Sequence, residues 1–412
     1  MKRTKSLLTI AITSLAMVFG ACSNDEESLK SPELHENDGN PYAITLAQAQ
    51  NQLNGILSGM GENVSRSGKR TIAKAYTSTI GANSRGENGL TVHVFNFDNG
   101  QGYAIMSGDQ RTAPLIALTD SGTITNLDDF ENPGMREFMA GLKDDIAEDS
   151  ITWDPTVDSV RYVYGQWKIY QKEGNYCPVK WGQRSPYNLK CPVIDGVHAL
   201  TGCAATAMAQ YLAIQKYPAS YSNFAYDWDI MTQDKKLTSG SNETAVDMVS
   251  QLMADLGKSG NLYMNYGTTA SGAFFDYYGP STLEHFGFSN GGNVIDYSAL
   301  EVSKELAKNK GVLISGSDPE NGGHAWLIHG YMVLRREVEV YVKGKKKWTM
   351  IEHEYCNQMN WGWNGVDDGY FIDGNFEASN YDYDDNGIKR LRADRIGYNF
   401  YSNTTIFVGV EK

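Results

Sequence analysis

Thr201-Gly202-Cys203-Ala204-Ala205-Thr206-Ala207-Met208-Ala209-Gln210-Tyr211-Leu212 is the most informative stretch of this 412-residue chain. Alanine has the highest helix propensity, so the run predicts an Ala-rich helix entered through Gly202, with Thr201 as its N-cap. Cys203 stands at its mouth. A thiol there meets the positive end of the helix dipole, which favours the thiolate, the nucleophilic form of the side chain. On residue type alone, a cysteine on a small-residue helix is packing. Other residues must decide between the two.

Downstream, amphipathic periodicity predicts helices over 246–256 and 298–308, and then strands over 312–315, 325–334, 338–341, 348–355, 369–372 and 404–410. Helices first and antiparallel strands afterwards predict an α+β fold with the two classes segregated. Upstream, apolar residues at helical spacing predict a helix over 45–57. Alternating runs at 90–97 and 103–106 around Asn99-Gly100 predict a hairpin, 114–118 continues the sheet, and 135–146 closes the unit with a helix. That makes two units, 41–150 and 177–412, joined by an irregular, charged connection at 151–176.

Bulk properties narrow the class. A formal net charge of -13 repels phosphate backbones, and no Lys/Arg stripe with interleaved aromatics occurs, so nucleic-acid binding is excluded. Lys2, Arg3 and Lys5 precede an apolar run over 6–19 that is too short to span a bilayer, ending in Gly20-Ala21-Cys22. Residues 1–21 read as a signal peptide. The small residues before Cys22 resemble a bacterial lipoprotein cleavage box, in which Cys22 is acylated; Phe19 departs from the usual aliphatic residue. Ser23-Asn24-Asp25-Glu26-Glu27 resembles the acidic surface-export tag of Bacteroidetes lipoproteins, and 22–40 reads as an acidic flexible tether. The expected location is outside the cell, lipid-anchored to the outer membrane or cell surface, with the mature domain open to release; the membrane is met only through that anchor.

There are five cysteines: Cys22, Cys177, Cys191, Cys203 and Cys356. Cys177 and Cys191 flank a short turn-rich segment and could bridge in an oxidising compartment. No C-x-x-C occurs and the seven histidines are scattered, so neither a metal nor a cofactor is expected.

His324 changes the weight of Cys203. It follows Gly322-Gly323 and opens an apolar run, placing an imidazole at a strand entrance where it can face a thiol presented by a helix. His329 has opposite parity and points to the other face. In Asn360-Trp361-Gly362-Trp363-Asn364-Gly365, two tryptophans in a Gly/Asn frame form a rigid aromatic wall, and Asn360 or Trp361 could orient and screen the histidine. The bland reading is a tight turn with two core tryptophans. Gln183, in Trp181-Gly182-Gln183-Arg184-Ser185-Pro186-Tyr187-Asn188, could add a side-chain amide to the Cys203 N–H as paired donors for an oxyanion.

These blocks, in their order along the chain, resemble the streptopain family of papain-like cysteine peptidases. They are 181–188, 201–210, Lys216-Tyr217-Pro218, Leu252-Met253-Ala254-Asp255-Leu256-Gly257, Gly322-Gly323-His324-Ala325 and 360–365. Gly102-Tyr103-Ala104-Ile105-Met106-Ser107-Gly108-Asp109, with Pro114, resembles that family's inhibitory propeptide. The resemblance implies a papain-like fold preceded by a propeptide domain at 41–150 that acts as the enzyme's own inhibitor. It also implies protein or peptide substrates and a thioester mechanism, while the irregular composition around 150–177 makes that stretch the expected place of the activating cut. By position it implies Cys203 as nucleophile, His324 as base, Gln183 at the oxyanion, Trp361 as the shield of the imidazole, and Gly323 and Ser271 at the substrate backbone. Asn360 fits less well, because the family works mainly with a Cys/His dyad. Ala204 stands where Val is common. Lys389, Arg390, Arg392 and Arg395 occupy a stretch that is Gly-rich in streptopain, so side-chain preference does not carry over. Two rivals share the features: a catalytically silent surface binding lipoprotein, and a transglutaminase-type acyltransferase with the same Cys/His chemistry.

Overall fold

The computed structural model describes residues 42–61, 70–81, 89–148, 160–318, 322–373, 379–383, 389–396 and 404–412. The signal peptide, Cys22 and the tether lie outside the described residues. No helix among those described is long and apolar enough to cross a membrane.

The N-terminal unit opens with α1 (Leu46–Gly59), whose Thr45 cap and Gln48 bond each other's backbone N–H groups in a capping box. Four strands follow, β1 (Ile72–Ile80), β2 (Leu90–Phe97), β3 (Tyr103–Ser107) and β4 (Leu115–Thr119), and then α2 (Pro133–Glu148). Consecutive strands pair antiparallel. Side chains alternate across the sheet. Val92, Val94, Tyr103 and Ile105 pack with α2, while Phe95, Phe97, Ala104 and Met106 pack with α1.

Residues 151–176, read as an irregular connection, carry two strands, β5 (Val160–Tyr164) and β6 (Lys168–Gly174). The short hairpins β7 (Val193–Ile194)/β8 (Val197–His198) and β9 (Ser220–Tyr221)/β10 (Phe224–Ala225) bracket α3 (Cys203–Gln215). After them come α4 (Trp228–Met231), α5 (Glu243–Gly257), α6 (Phe275–His285), β11 (Asn293–Asp296) and α7 (Ala299–Leu306). The rest is sheet: β12 (Val312–Asp318), β13 (Gly322–Val342), β14 (Lys345–Asn360), β15 (Gly369–Ile372), β16 (Ser379–Tyr383), β17 (Lys389–Ile396) and β18 (Thr405–Val408). Helices before antiparallel strands is the expected α+β order. The two strands expected at 325–334 and 338–341 are one. β13 runs through Arg335-Arg336-Glu337 because Arg336 is satisfied there: its Nε bonds Glu352 at 2.5 Å and its guanidinium lies over the Tyr164 and Trp167 rings.

The two units share one sheet in the order β1-β2-β3-β4-β15-β14-β13-β12-β18-β11, joined where Ala117, Leu118 and Thr119 of β4 pair with Phe371, Tyr370 and Gly369 of β15. β14 covers one edge of β13. Along the other edge β12, β6 and β5 follow one another, so β5 and β6 belong to the C-terminal sheet through five and six register pairs. The faces of β13 divide the core. Ala325 and Leu327 pack with α3 and α5, whereas Trp326 and Ile328 join α2 of the N-terminal unit and Trp361.

Candidate active site

Cys203 is the first residue of α3. Its cap is Gly202, at φ 84°, and not Thr201, whose hydroxyl is shared with Thr206 Oγ1 at 2.9 Å. Glycine is needed at 202 for that φ and for closeness, since a Cβ there would meet Met264 Sδ at 2.8 Å and the Ser271 carbonyl oxygen at 3.1 Å. Gln183 is buried beside the turn, its carbonyl accepting from Thr201 N at 3.1 Å. Ser271 Oγ donates to Leu200 O at 2.9 Å and accepts from Gly267 N, which fixes its loop against the residues that precede the nucleophile. Gly323 is exposed, one residue before His324.

The thiol sits against the backbone of Ala325, the neighbour of His324 in sequence. The imidazole itself is on the other face of β13, and no hydrogen bond joins it to Cys203. It stacks at 5.8 Å on Trp326 and its Nε2–H donates to the Trp361 carbonyl at 3.1 Å. The Trp361 ring lies 6.3 Å from the imidazole, tilted by 33°. Asn360 does not touch it: its amide donates to Val179 O at 2.9 Å and its oxygen accepts from Gly362 N, so it closes the turn.

What covers the imidazole is α2. A Cβ on Gly134 would stand 2.9 Å from Trp361 Cδ2 and 3.0 Å from His324 Cδ2, so the first turn of α2 lies flat on both rings. The next turn brings Glu137 within electrostatic reach of Cys203 and Arg136 within reach of His324. Burial first, and then the Glu137 carboxylate, push the Cys203 thiol above its ordinary pKa, outweighing the helix dipole; the expected thiolate is not the favoured form in this state. Burial pushes His324 down to about 4, so it is neutral.

The Trp361 loop is also gripped from the N-terminal unit. Ser121 Oγ donates to Gly365 O at 2.6 Å, Asn132 Nδ2 to Val366 O at 2.8 Å, Tyr103 OH to Asp367 Oδ1 at 3.0 Å, and Asp120 N to Asp368 O at 2.7 Å. Sequence reasoning missed this partner surface. The acidic pair Asp367-Asp368 just after a Trp-Gly turn was its one visible signal.

Asp368 is buried. Oδ1 accepts from Trp361 N at 3.0 Å, and Oδ2 has no hydrogen-bond partner among the described residues. With Asp120, Cys177, Lys180, His329 and Asn360 it lines a pocket of about 180 Å³. Burial raises its carboxyl to about 7, against attraction from Lys180. A folded pKa above the unfolded value near 4 gives stability below that value which is lost as pH rises through about 7, a cost of up to about 4 kcal/mol. Asp368→Asn keeps the acceptor for Trp361 N and cannot ionise. Its melting-temperature gain over the parent, both carrying Cys203→Ala, is expected to be at least about 3 °C larger at pH 8 than at pH 5. Equal gains at the two pH values would show that the carboxyl is not raised.

Cys177, Cys191, Cys203 and Cys356 are all free thiols, so the Cys177–Cys191 bridge is not formed. Cys177 Sγ instead donates to Val179 O at 3.2 Å. His329 is buried on the face away from His324, as parity predicted, and accepts from Cys177 N at 3.4 Å. No cluster of metal-ligating side chains occurs among the described residues.

A thiol at a helix mouth, a histidine on the adjoining sheet and an N-terminal domain seated on that histidine define a cysteine-type peptidase with its inhibitory propeptide still attached. Residues 181–371 match the Peptidase C10 family and residues 46–146 match the Spi protease inhibitor family. The chain thus carries a Peptidase C10 domain, the domain of the streptopain family, preceded by a Spi protease inhibitor domain as its propeptide. It is 27% identical to streptopain of Streptococcus pyogenes over 329 residues, covering 69% of this chain and 74% of that one. To the thiol protease/hemagglutinin PrtT of Porphyromonas gingivalis it is 26% identical over 222 residues, 47% of this chain and 23% of that one. In fold it is similar to a fragment of prointerpain A from Prevotella intermedia, with a TM-score of 0.53 at 21% identity, over 82% of this chain and 99% of the fragment.

Proposed function

We propose that this chain is the latent precursor of an exported endopeptidase that cleaves peptide bonds through Cys203 and His324 once the N-terminal domain has left. The carrying observation is the seat of α2 on His324 and Trp361, one residue from where the Cys203 thiol touches β13. Departure of α2 frees the imidazole to turn from the Trp361 carbonyl towards the thiol, and removes the Glu137 carboxylate that disfavours the thiolate. In the reaction His324 takes the thiol proton, and sulfur bonds the scissile carbonyl carbon while Gln183 and the Cys203 N–H hold the oxyanion. The C–N bond then breaks as His324 returns the proton to the leaving amine. Water, deprotonated by His324, hydrolyses the thioester and regenerates the thiol. Residues 1–21 direct export, and an acylated Cys22 tethers the precursor to the outer membrane or cell surface.

The full chain incubated at neutral pH is expected to cut itself on the N-terminal side of β5, because a cut after β6 would strip two strands from β13. Iodoacetamide is expected to modify Cys203 at least about tenfold faster in the processed form than in the full chain, as the thiol pKa falls. N-terminal sequencing and mass spectrometry read both quantities. If Cys203 of the processed form reacted no faster than the buried Cys356, the nucleophile assignment would fail.

A further inference from the structure

Buried polar atoms without partners gather around one turn of the site. Seven such side-chain atoms occur among the described residues, and four belong to residues in or against 360–368: Trp181 Nε1, both amide atoms of Gln210, and Asp368 Oδ2. Native interiors leave few buried polar groups unmade, because each one destabilises the fold. Contacts with the turn place the four. Trp181 O accepts from Asn364 N at 3.3 Å, Asp368 Oδ1 accepts from Trp361 N at 3.0 Å, and a Cβ on Gly362 would stand 3.6 Å from Gln210 Nε2. That Cβ would also meet Thr206 Cγ2 at 3.0 Å, so the turn lies directly against α3.

Gln210 is fully buried within an Ala-rich helix. A methionine would fill much the same space with no amide to satisfy. Three and seven residues after Cys203, Thr206 and Gln210 share the helix face that carries the thiol. The backbone group beside the Gln210 amide is the Trp361 carbonyl, which is bonded to Gly362 N; covalent geometry keeps its oxygen within about 7 Å of Gln210 Nε2. In the precursor that carbonyl is taken, since it accepts from His324 Nε2 at 3.1 Å. When the imidazole turns towards Cys203, the carbonyl loses its donor. The Gln210 amide is the unpaired donor next to it.

We infer that Gln210 is a positioning residue, whose amide takes over the Trp361 carbonyl as His324 leaves it. The turn of the imidazole then exchanges one hydrogen bond for another, and the Cys203–His324 pair is held in its working arrangement. Gln210 acts through His324 and not on the substrate. The inference rests on the peptidase reading above, and it accounts for an amide left unpaired in the latent chain.

Gln210→Met tests it in two states, the full chain and the processed form obtained by cutting the variant with immobilised processed wild-type enzyme. In the full chain the amide has no bond to lose, so the melting temperature is expected to stay within about 2 °C of the parent or to rise. In the processed form kcat on a peptide is expected to fall at least about tenfold with KM changed by less than about twofold, the scale of one lost hydrogen bond. Iodoacetamide labelling of Cys203, read by peptide mass spectrometry, follows the imidazole itself. Processed wild type is expected to react well below neutral pH, where His324 holds the thiolate, while the variant is expected to be at least about tenfold slower near pH 5.5 and equal near pH 9. Gln210→Leu, which also lacks the amide, is expected to repeat these results. A full-chain melting temperature lowered by more than about 2 °C in both variants would show the amide already bonded there and overturns the inference. An unchanged kcat, or a reduced kcat with the wild-type labelling profile, also overturns it and leaves the peptidase reading intact. If processed wild type hydrolyses no peptide, both readings fall.

Discussion

Cys203→Ala is expected to leave a full-length chain that folds, never matures when expressed alone, and hydrolyses peptides at least about 10⁴-fold more slowly than the processed wild type, the loss that follows removal of a covalent nucleophile. The fold should tolerate the change. Position 203 opens a helix already rich in alanine, so the substitution removes one sulfur from the contact with the Ala325 backbone and improves helix propensity. A melting temperature within a few degrees of the parent would attribute the loss to chemistry. Processed wild-type enzyme added in trans is expected to cut the variant at the same site. If the variant matured alone at the wild-type rate, self-processing would be wrong. If processed variant still hydrolysed peptides, the nucleophile would be another group.

The candidate residues of the site were legible in the sequence, and their arrangement in this state was not. Helix starts announce themselves chemically: Thr45 with Gln48, and Ser298, cap helices close to where periodicity put them. Residue type and the streptopain resemblance brought Cys203, His324, Gln183 and Trp361 forward, and the fold brings all four to one region. β6 was hidden because most of its side chains are exposed, and β5 because Tyr162, Val163 and Tyr164 are all half-buried, so alternation does not surface in either. The join of β4 to β15 was hidden for another reason, that backbone pairing between sheet edges leaves no trace in side-chain type. The direction of the imidazole could not be read either. His324 shares its face with Trp326, and the helix that covers that face, α2, comes from the other unit. Asn360 misled because its residue type fits an orienting role, while its amide is used to hold 177–179 and the Gly362 turn.

That same helix supplies the second large effect. Gly134→Ala is expected to release latency, with the full chain maturing at least about tenfold faster than wild type. The new methyl carbon would overlap Trp361 Cε3 and crowd Trp361 Cδ2 and His324 Cδ2, at 2.9 and 3.0 Å. Trp361 cannot give way. It is buried between Trp326, at 5.3 Å, and Phe371, at 5.1 Å, and its indole N–H is held by Asp367 O. The helix must lift instead, and overpacking of this kind costs about 1–3 kcal/mol, a factor of roughly 5 to 150 in the closed population. Alanine itself favours a helix interior over glycine by about 1 kcal/mol, so faster maturation cannot be blamed on a weakened α2. Gly55→Ala is the matched control, since a methyl there meets nothing within 4 Å on α1 and is expected to leave the maturation rate unchanged. Maturation followed by gel, with iodoacetamide labelling of Cys203 before any cut, separates lifting of the helix from faster cleavage of the connection. Labelling and maturation both at wild-type rates would mean that contact between α2 and the two rings does not hold the enzyme silent.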